Sequence, residues 1–291
     1  MADYPVLGPP KNHPGPLIIA HRGARSLAPE NTLAAARKAL AAGADMWELD
    51  LQLSTDGALV VVHDRTLERT TNAPQVKAFA SRTPWPVDGF TLAELKSLDF
   101  GSWFIHTDPF GRLAAGEISP AEARTYAGLT LPTLEEALLF SRENRLPLNV
   151  EIKDLAGRPG HETVVEQTVR LIEALEMTDL VLVSSFNPEY LARIRRMSPS
   201  LAAALIVEEN KSDPLPLLED LALPAFHPAA WTVTPAQVSQ LREKGYAVNV
   251  WTLNTAADMT AFYEAGASGI ITDFPQVLSS LLGRRPSRSP D

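Results

Sequence analysis

Residues 46–64 read Met-Trp-Glu-Leu-Asp-Leu-Gln-Leu-Ser-Thr-Asp-Gly-Ala-Leu-Val-Val-Val-His-Asp. The run is typical of two extended segments joined by a tight turn at Asp56-Gly57. Because side chains alternate along a strand, Glu48 and Asp50 share one face, while Trp47 and its alternate neighbours make the other face apolar. The apolar face can pack on a core, so the stretch predicts a hairpin that presents two acids to a functional site.

The predicted register of this hairpin places a histidine beside the acids. If Thr55 pairs with Ala58 across the turn, His63 falls opposite Asp50. One hairpin would then gather two carboxylates and an imidazole in one place. The alternative interpretation is a half-buried strand with two exposed acids, since a single alternating strand is common.

Strands and helices alternate through most of the remaining chain. Apart from the return strand of the hairpin, eight strands are predicted, in the first half of the hairpin and at residues 17–20, 148–152, 180–184, 202–206, 224–226, 247–252 and 269–272. Alternating units of this kind favour a parallel sheet, and eight of them favour an α/β fold closed as a (β/α)8 TIM barrel. The alternative is an open doubly wound sheet, but the chain lacks a Gly-x-Gly-x-x-Gly turn, which weakens a dinucleotide-binding interpretation.

The predicted organisation is this barrel with three additions. A loose, proline-rich N-terminal arm covers residues 1–16, and the barrel covers residues 17–66 and 131–283. Residues 67–130 hold polar turns, several prolines and one clear helix, so they are interpreted as a small insertion or cap after the hairpin. Residues 284–291 are interpreted as a polar C-terminal tail.

The composition excludes several functional classes. The 291 residues carry 26 Lys and Arg against 35 Asp and Glu, a formal net charge of −9, so a nucleic-acid partner is not expected. Because there is no Cys, disulfides and a Cys nucleophile are excluded. No stretch approaches the roughly 18 apolar residues of a membrane span, and none resembles a signal peptide, so a cytoplasmic protein is the default expectation. The sequence predicts no oligomeric state.

The candidate chemistry lies at one rim of the predicted barrel, because the carboxyl ends of the strands face the active site in this fold. The polar residues at these ends, together with the histidine of the hairpin, are His21, Arg22, Glu48, Asp50, His63, Glu151, Lys153 and Trp251. Their convergence indicates a functional site. The alternative is a scatter of solvated charges.

Three of these residues, Glu48, Asp50 and Glu151, offer the oxygen ligands that suit a hard cation such as Mg²⁺ or Ca²⁺. Without a cation the three carboxylates would repel one another in a low-dielectric pocket. Glu151 taken alone is equally consistent with a salt bridge to Lys153. Arg22 and Lys153 offer the fixed positive charge that a phosphate needs, although Arg22 alone is also consistent with a residue that ties down its loop.

The two histidines suit general acid–base chemistry, because the ordinary pKa of imidazole lies near neutral pH. His21 and His63 are assigned this role on their position alone, and metal ligation is the alternative. The other histidines are interpreted as structural: His13, His106, His161 and His227.

An ordered set of motifs resembles the signature of the glycerophosphodiester phosphodiesterase family. The motifs are His21-Arg22-Gly23, Pro29-Glu30-Asn31-Thr32, Glu48-Leu49-Asp50, Thr55-Asp56-Gly57, Val61-Val62-His63-Asp64, Leu67-Glu68-Arg69-Thr70-Thr71, Leu131-Pro132-Thr133-Leu134-Glu135-Glu136, Glu151-Ile152-Lys153, Ser184-Ser185-Phe186, Val250-Trp251-Thr252 and Ile271-Thr272-Asp273. Each motif is short, but the ordered set is highly specific and spans residues 17–275.

The resemblance implies a (β/α)8 barrel that hydrolyses small-molecule glycerophosphodiesters to glycerol 3-phosphate and an alcohol. It implies that Glu48, Asp50 and Glu151 hold one divalent cation, often Ca²⁺ or Mg²⁺, with Mn²⁺ as a further choice. It also implies that His21 and His63 are the acid–base pair and that two basic residues, Arg22 and Lys153, lie near the phosphate. Trp251 is expected to pack on the glycerol carbons, with a core Trp as the alternative.

Two rival functions stay open. A lysophospholipase D on the same scaffold would need an apolar groove in the insertion, whose aromatic residues are Trp85, Phe90, Phe100, Trp103, Phe104 and Phe110. A small core of the insertion is the favoured interpretation of these residues. The second rival is a catalytically silent barrel that binds a phosphodiester or a partner protein, and the intact histidine pair and acids argue against it.

Overall fold

The computed structural model describes residues 4–8, 15–209 and 213–284. The described chain contains one sheet of nine strands: β1 (Leu17–Ala20), β2 (Met46–Leu53), β3 (Leu59–Val61), β4 (Leu148–Ile152), β5 (Val181–Ser185), β6 (Ala202–Val207), β7 (Ala225–Pro228), β8 (Ala247–Val250) and β9 (Gly269–Thr272).

Eight of these strands close into a barrel. Their order is β1-β9-β8-β7-β6-β5-β4-β2, every neighbouring pair is parallel, and β1 also pairs with β2. Ile19 of β1 lies beside Ile271 of β9 on one side and Met46 of β2 on the other. The prediction of a closed (β/α)8 barrel is therefore confirmed, and an open sheet is excluded because β1 has a partner on both edges.

Helices connect the strands across the outside of the barrel. The helices of the described residues are α1 (Leu33–Ala41), α2 (Leu92–Lys96), α3 (Ser102–Thr107), α4 (Pro120–Arg124), α5 (Leu134–Asn144), α6 (Val164–Ala174), α7 (Pro188–Met197), α8 (Leu215–Asp220), α9 (Pro235–Glu243), α10 (Ala256–Glu264) and α11 (Pro275–Leu281). Local sequence explains where several begin. Thr133 and Glu136 form a reciprocal capping box at the start of α5, and Thr32 caps α1 by accepting a hydrogen bond from the amide of Ala35.

Alternation along β2 separates the packing core from the site, as predicted. Trp47 and Leu49 face outward into the apolar layer between the barrel and its helices. Met46 faces inward, where it packs with apolar residues of the other strands in the lower half of the barrel. Because successive side chains alternate, Glu48 and Asp50 project into the barrel interior above that apolar layer.

The hairpin forms, but the predicted register is wrong by one residue. Leu53 pairs with Leu59, and the amide of Val62 donates to the carbonyl of Asp50 at 2.9 Å, so Val62 rather than His63 lies opposite Asp50. The loop holds three residues instead of two, because the amide of Ser54 donates to the carbonyl of Ala58 at 3.0 Å.

The insertion determines this longer loop. The carbonyl of Phe90 accepts a hydrogen bond from the amide of Thr55 at 2.8 Å, and Asp56 Oδ1 accepts one from the amide of Leu92 at 2.9 Å. Neither contact can be inferred from the turn sequence itself. The strand β3 ends at Val61, and the chain bends beyond it, so strict alternation does not fix the direction of His63.

The insertion has more helix than predicted. It contains α2, α3 and α4, where only α2 was predicted. All three have only five or six residues, too few for a periodic pattern, and α2 was predicted from its Thr91–Glu94 capping box. Its aromatic residues lie in two small cores, as favoured, although each core also contains residues of the barrel, such as Val60 in the first and Ala35 in the second. Trp85, Phe90 and Phe100 pack in the first, while Phe104 is buried in the second with Trp103 and Phe110 at its edge.

Both chain ends differ from the predicted loose segments. Pro5–Leu7 form a 3-10 turn, and Val6 is buried against the apolar layer inside the barrel. Helix α11 was not predicted, and Arg284, assigned to the polar tail, is buried because it pairs with Asp45 and donates to the carbonyl of Pro16 at 2.9 Å. Residues 1–3, 9–14 and 285–291 lie outside the described residues.

In the described part of the chain, the helices fall short of the length and apolar character that crossing a bilayer requires.

Candidate active site

A cavity of about 470 Å³ opens at the carboxyl ends of the barrel strands. The predicted site residues that line it are His21, Arg22, Glu48, His63, Glu151, Lys153 and Trp251. The remaining predicted residue, Asp50, is buried among them at 1% exposure. A larger cavity of about 690 Å³ lies beside β6 and helices α8 and α9, and the predicted site residues do not line it.

Three carboxylates form a compact cluster in the cavity. Glu48, Asp50 and Glu151 each offer one oxygen atom, and these atoms lie within 4.8 Å of one another. The sheet brings them together, because Asp50 of β2 pairs in register with Glu151 of β4. No histidine belongs to this cluster within the described residues.

The electrostatics of this cluster fit a hard cation. Burial raises the pKa of Glu48 well above its usual range, and the charges of Asp50 and Glu151 raise it further. Burial also raises the pKa of Glu151. Asn149, which pairs in register with Glu48, lines the same cavity, and its buried Oδ1 has no hydrogen-bond partner. Three carboxylates and an unpartnered amide oxygen are the donor set that Mg²⁺ and Ca²⁺ prefer.

Lys153 contacts two of these acids. Its Nζ atom donates to Glu151 Oε1 at 2.6 Å and to Asp50 Oδ1 at 3.2 Å. Burial alone would raise the pKa of Asp50, but the nearby charges of Lys153 and Arg22 lower it below its usual range. Glu151 therefore both forms a salt bridge with Lys153 and belongs to the carboxylate cluster.

Arg22 is held by the acids around it. Its amide donates to Glu48 Oε2 at 2.7 Å, and its Nη1 donates to Glu30 Oε1 at 2.8 Å. Its Nε lies 3.3 Å from Asp50 Oδ2 but has no hydrogen bond. Its backbone is left-handed, with φ of 54°, a conformation that costs energy in residues other than glycine. The guanidinium both ties down its loop and lines the cavity.

The two histidines of the cavity are oriented in the same way, each by a carboxylate. His21 Nδ1 donates to Asp273 Oδ1 at 2.7 Å, and His63 Nδ1 donates to Asp64 Oδ1 at 2.7 Å. This arrangement leaves Nε2 of each ring as the nitrogen for proton transfer. Burial and the charge of Arg22 lower the pKa of His21, whereas Asp273 acts in the opposite direction.

The far wall of the cavity is aromatic. Trp251 contacts Phe186 and Trp231 edge-on, with ring centroids 5.9 Å and 5.7 Å away. Its indole nitrogen donates to the carbonyl of His227 at 2.9 Å. The ring of Trp251 is therefore partly buried and also lines the cavity.

The remaining histidines have different surroundings. His106 lies in the last turn of α3, and His161 Nδ1 lies 2.8 Å from the hydroxyl of Tyr190. His227, interpreted from the sequence as structural, is buried but also lines the cavity, and burial lowers its pKa to about 3. His13 lies outside the described residues.

Several residues of the site were given no role from the sequence. Asp64 and Asp273 orient the histidines, and Asn31 binds Asp50, donating from Nδ2 to Oδ2 at 2.8 Å and accepting from its amide at 3.2 Å. Asp64, Asp273 and Asn31 all belong to the motifs that resemble the family, and this membership is the sequence signal that could have identified them. Glu30 and Asn149 complete the surroundings of the acids.

Comparisons with known proteins agree with this geometry. The profile described as "Glycerophosphoryl diester phosphodiesterase family" matches residues 21–277. The chain is 34% identical over 267 residues to a glycerophosphodiester phosphodiesterase of Caldanaerobacter subterraneus subsp. tengcongensis, which spans 91% of this chain and 97% of the relative. It is 31% identical to a glycerophosphodiester phosphodiesterase of Bacillus subtilis, over 90% of this chain and 84% of the relative.

Solved structures give the same result. A phosphodiesterase of Oleispira antarctica, in complex with the product sn-glycerol-3-phosphate, matches with a TM-score of 0.77 and 30% identity over 92% of this chain and 97% of that chain. A putative glycerophosphoryl diester phosphodiesterase of Silicibacter pomeroyi matches with a TM-score of 0.77 and 25% identity over 96% and 97% of the two chains.

Proposed function

The chain belongs to the glycerophosphoryl diester phosphodiesterase family, and we propose that it hydrolyses glycerophosphodiesters to glycerol 3-phosphate and an alcohol, using one divalent cation and a pair of histidines. The observation that carries the proposal is the placement of three carboxylates and two carboxylate-bound imidazoles around one cavity.

Glu48, Asp50 and Glu151 hold the cation, which is Mg²⁺ or Ca²⁺, with Mn²⁺ as a further choice. When bound, it stabilises the negative charge that develops on a phosphoryl oxygen. The pKa of Glu48, raised by burial and by the charges of Asp50 and Glu151, supports this assignment, because a cation offsets the repulsion among the three acids.

His21 and His63 share the proton transfers. One imidazole takes a proton through Nε2 from the attacking oxygen, which belongs to water or to the substrate's own glycerol hydroxyl, and the other donates a proton to the departing alcohol oxygen. The carboxylates of Asp273 and Asp64 hold the proton on Nδ1 of each ring, which fixes the tautomer and the direction of the reactive nitrogen.

Basic residues of the cavity bind the phosphate of the substrate, and an aromatic residue binds its glycerol. Lys153 and Arg22 provide positive charge on the phosphate side of the cavity. Trp251 packs on the carbons of the glycerol. We further assign the catalytic barrel to residues 17–66 and 131–283, the cap to residues 67–130, and the location to the cytoplasm.

The test is turnover of glycerophosphocholine, glycerophosphoethanolamine and lysophosphatidylcholine by the purified protein. We expect a chelator to remove most of the activity on the first two compounds, and added Mg²⁺, Ca²⁺ or Mn²⁺ to restore it. Preference for lysophosphatidylcholine would favour a lysophospholipase D instead. No turnover of any compound with any of the three cations would identify a silent binding barrel.

A further inference from the structure

A continuous series of alternating charges joins the two imidazoles of the site. In order, the side chains are His21, Asp273, Arg25, Glu30, Arg69, Asp64 and His63. Glu30 lies at its centre, three contacts from either ring. The series connects two histidines that reach the cavity from different elements of the fold.

The first half runs from His21 to Glu30. Asp273 Oδ1 lies 2.7 Å from His21 Nδ1 and 3.5 Å from Arg25 Nη1. Arg25 then donates from Nη2 to Glu30 Oε2 at 2.9 Å. One guanidinium therefore links the carboxylate that orients His21 to the carboxylate of Glu30.

The second half runs from His63 to the same residue. Arg69 donates to both oxygens of Asp64, from Nε at 2.6 Å and from Nη2 at 3.0 Å. It also donates to both oxygens of Glu30, at 2.9 Å and 2.7 Å. A planar guanidinium that is bound on two sides has one orientation, so Asp64 is held in place relative to Glu30.

Glu30 is a buried hub with only 6% exposure. Besides Arg25 and Arg69 it accepts a hydrogen bond from Arg22 Nη1 at 2.8 Å. Burial alone would raise its pKa, but the hydrogen bond from Arg69 and the charges of Arg22 and Arg25 lower the pKa to about 2. It stays ionised, and it does not line the cavity.

Aromatic rings of the insertion lie over two guanidinium groups of this network. The guanidinium of Arg25 lies over the ring of Phe110 at 5.3 Å, and that of Arg69 lies over the ring of Trp103 at 5.7 Å. Both aromatic rings come from the insertion, whereas Glu30 lies on the loop before α1. Each ring lies against one guanidinium group, a cation–π contact that helps to fix its orientation; the Arg25 side chain is 18% exposed and that of Arg69 is 41% exposed.

We propose that Glu30 is a positioning residue that holds both histidine rings in their productive orientation through Arg25 and Arg69. This role rests on the proposed acid–base function of His21 and His63. Without the carboxylate, each arginine loses its partner on one side, and the aspartates behind the rings lose a fixed neighbour. The rings of His21 and His63 then both become less well oriented, although Glu30 contacts neither ring.

The test reads ring geometry without any substrate, from ¹⁵N chemical shifts of the histidine side chains. We expect Arg25→Gln to change the Nδ1 and Nε2 shifts of His21 and to leave those of His63 unchanged. Arg69→Gln should do the reverse, and Glu30→Gln should change both. The matched control is Glu166→Gln, which removes a carboxylate from the Arg193 pair on the outside of the barrel (3.1 Å) and should change neither ring.

Activity gives a second readout. Arg25→Gln and Arg69→Gln should each lower kcat about tenfold or more, with KM and the affinity for the cation within roughly twofold of wild type. Glu30→Gln should lower kcat at least as much and should also raise KM, because Glu30 holds Arg22 as well. Equal losses in all three quantities in the arginine variants, or unchanged ring shifts in Glu30→Gln, would overturn the proposal. If Glu30→Gln fails to fold, the opposite patterns of the two arginine variants decide the question. A chain with no turnover but with this pattern of shifts would refute the proposed function and leave the positioning role standing.

Discussion

The Nζ atom of Lys153 lies 2.6 Å from Oε1 of Glu151, so one acid of the candidate metal cluster already has a cationic partner. Lys153 also reaches Asp50 at 3.2 Å, which leaves Glu48 as the acid of the cluster without a contact from this lysine. Burial raises the pKa of Glu48, whereas the charges of Lys153 and Arg22 lower the pKa of Asp50. Lys153 therefore acts on the cluster as a built-in counter-charge.

We expect the removal of this counter-charge to strengthen cation binding and to slow turnover. In Lys153→Met the carboxylates attract a divalent cation more strongly, so isothermal titration should show tighter Mg²⁺ or Ca²⁺ binding than in wild type. The metal-free protein should unfold at a lower temperature, because the acids repel one another without compensation. The value of kcat/KM should fall roughly tenfold to a hundredfold, the loss expected for one charged hydrogen bond to phosphate.

Lys96→Met is the matched control for this substitution. Lys96 Nζ lies 2.6 Å from Glu136 Oε2 on the outside of the protein, so the variant removes the same type of ion pair away from the cavity. It should leave cation affinity and kcat/KM unchanged. Weaker cation binding in Lys153→Met would show that the lysine supports the cluster rather than competing with the ion.

Variants of the two histidines and of Glu151 should show which residues transfer protons and which bind the cation. We expect His21→Ala and His63→Ala each to lower kcat by roughly 10²- to 10⁴-fold, because each removes a proton-transfer group. Cation affinity should stay nearly intact in both. Glu151→Ala should also abolish most activity, but it should weaken cation binding measurably by titration. If both histidine variants lose the cation, these residues are ligands and the acid–base assignment is wrong.

The parts of the fold that sequence predicted are those set by local periodicity. Alternation along β2 placed Glu48 and Asp50 on one face, and the structure puts that face inside the barrel. The Thr133 capping box marked the start of α5. These features depend on neighbours a few residues away, which a single sequence displays directly.

The parts that sequence missed depend on distant contacts. The loop of the hairpin donates a hydrogen bond to the carbonyl of Phe90 and accepts one from the amide of Leu92, and no turn rule includes these contacts with the insertion. Asp273 comes within 2.7 Å of His21 although 252 residues separate them. His227 looked structural because a lone histidine usually is, and only barrel closure shows that it also lines the cavity.

Buried His227 should make stability depend on pH in a defined window. Its folded pKa of about 3 lies below the ordinary value of 6.5, so the unfolded chain takes up a proton that the folded protein does not. Its contribution to stability is complete above about pH 6.5 and is lost as the pH falls towards 3. The slope is roughly 1.4 kcal/mol for each pH unit.

Urea unfolding of wild type and His227→Gln between pH 7.5 and 4 measures this contribution. The wild type should lose free energy of unfolding more steeply than the variant as the pH falls below 6.5. Glutamine retains a hydrogen-bonding group for Asn249, whose Nδ2 lies 2.9 Å from His227 Nε2. Parallel curves for the two proteins would show that folding does not lower the pKa of this imidazole.

A substitution of Trp251 tests whether its ring contacts the glycerol or the alcohol of the substrate. If its ring packs on the glycerol carbons that all these substrates share, Trp251→Ala should raise KM by a similar factor for glycerophosphocholine and glycerophosphoethanolamine, roughly tenfold for a partly buried aromatic contact. The ratio of kcat/KM between the two substrates should stay constant. Trp231→Ala is the control, because Trp231 contacts the same ring but is 65% exposed and does not line the cavity. A changed ratio in Trp251→Ala would place the ring against the alcohol, and an unchanged KM with a lower melting temperature would make Trp251 a core residue only.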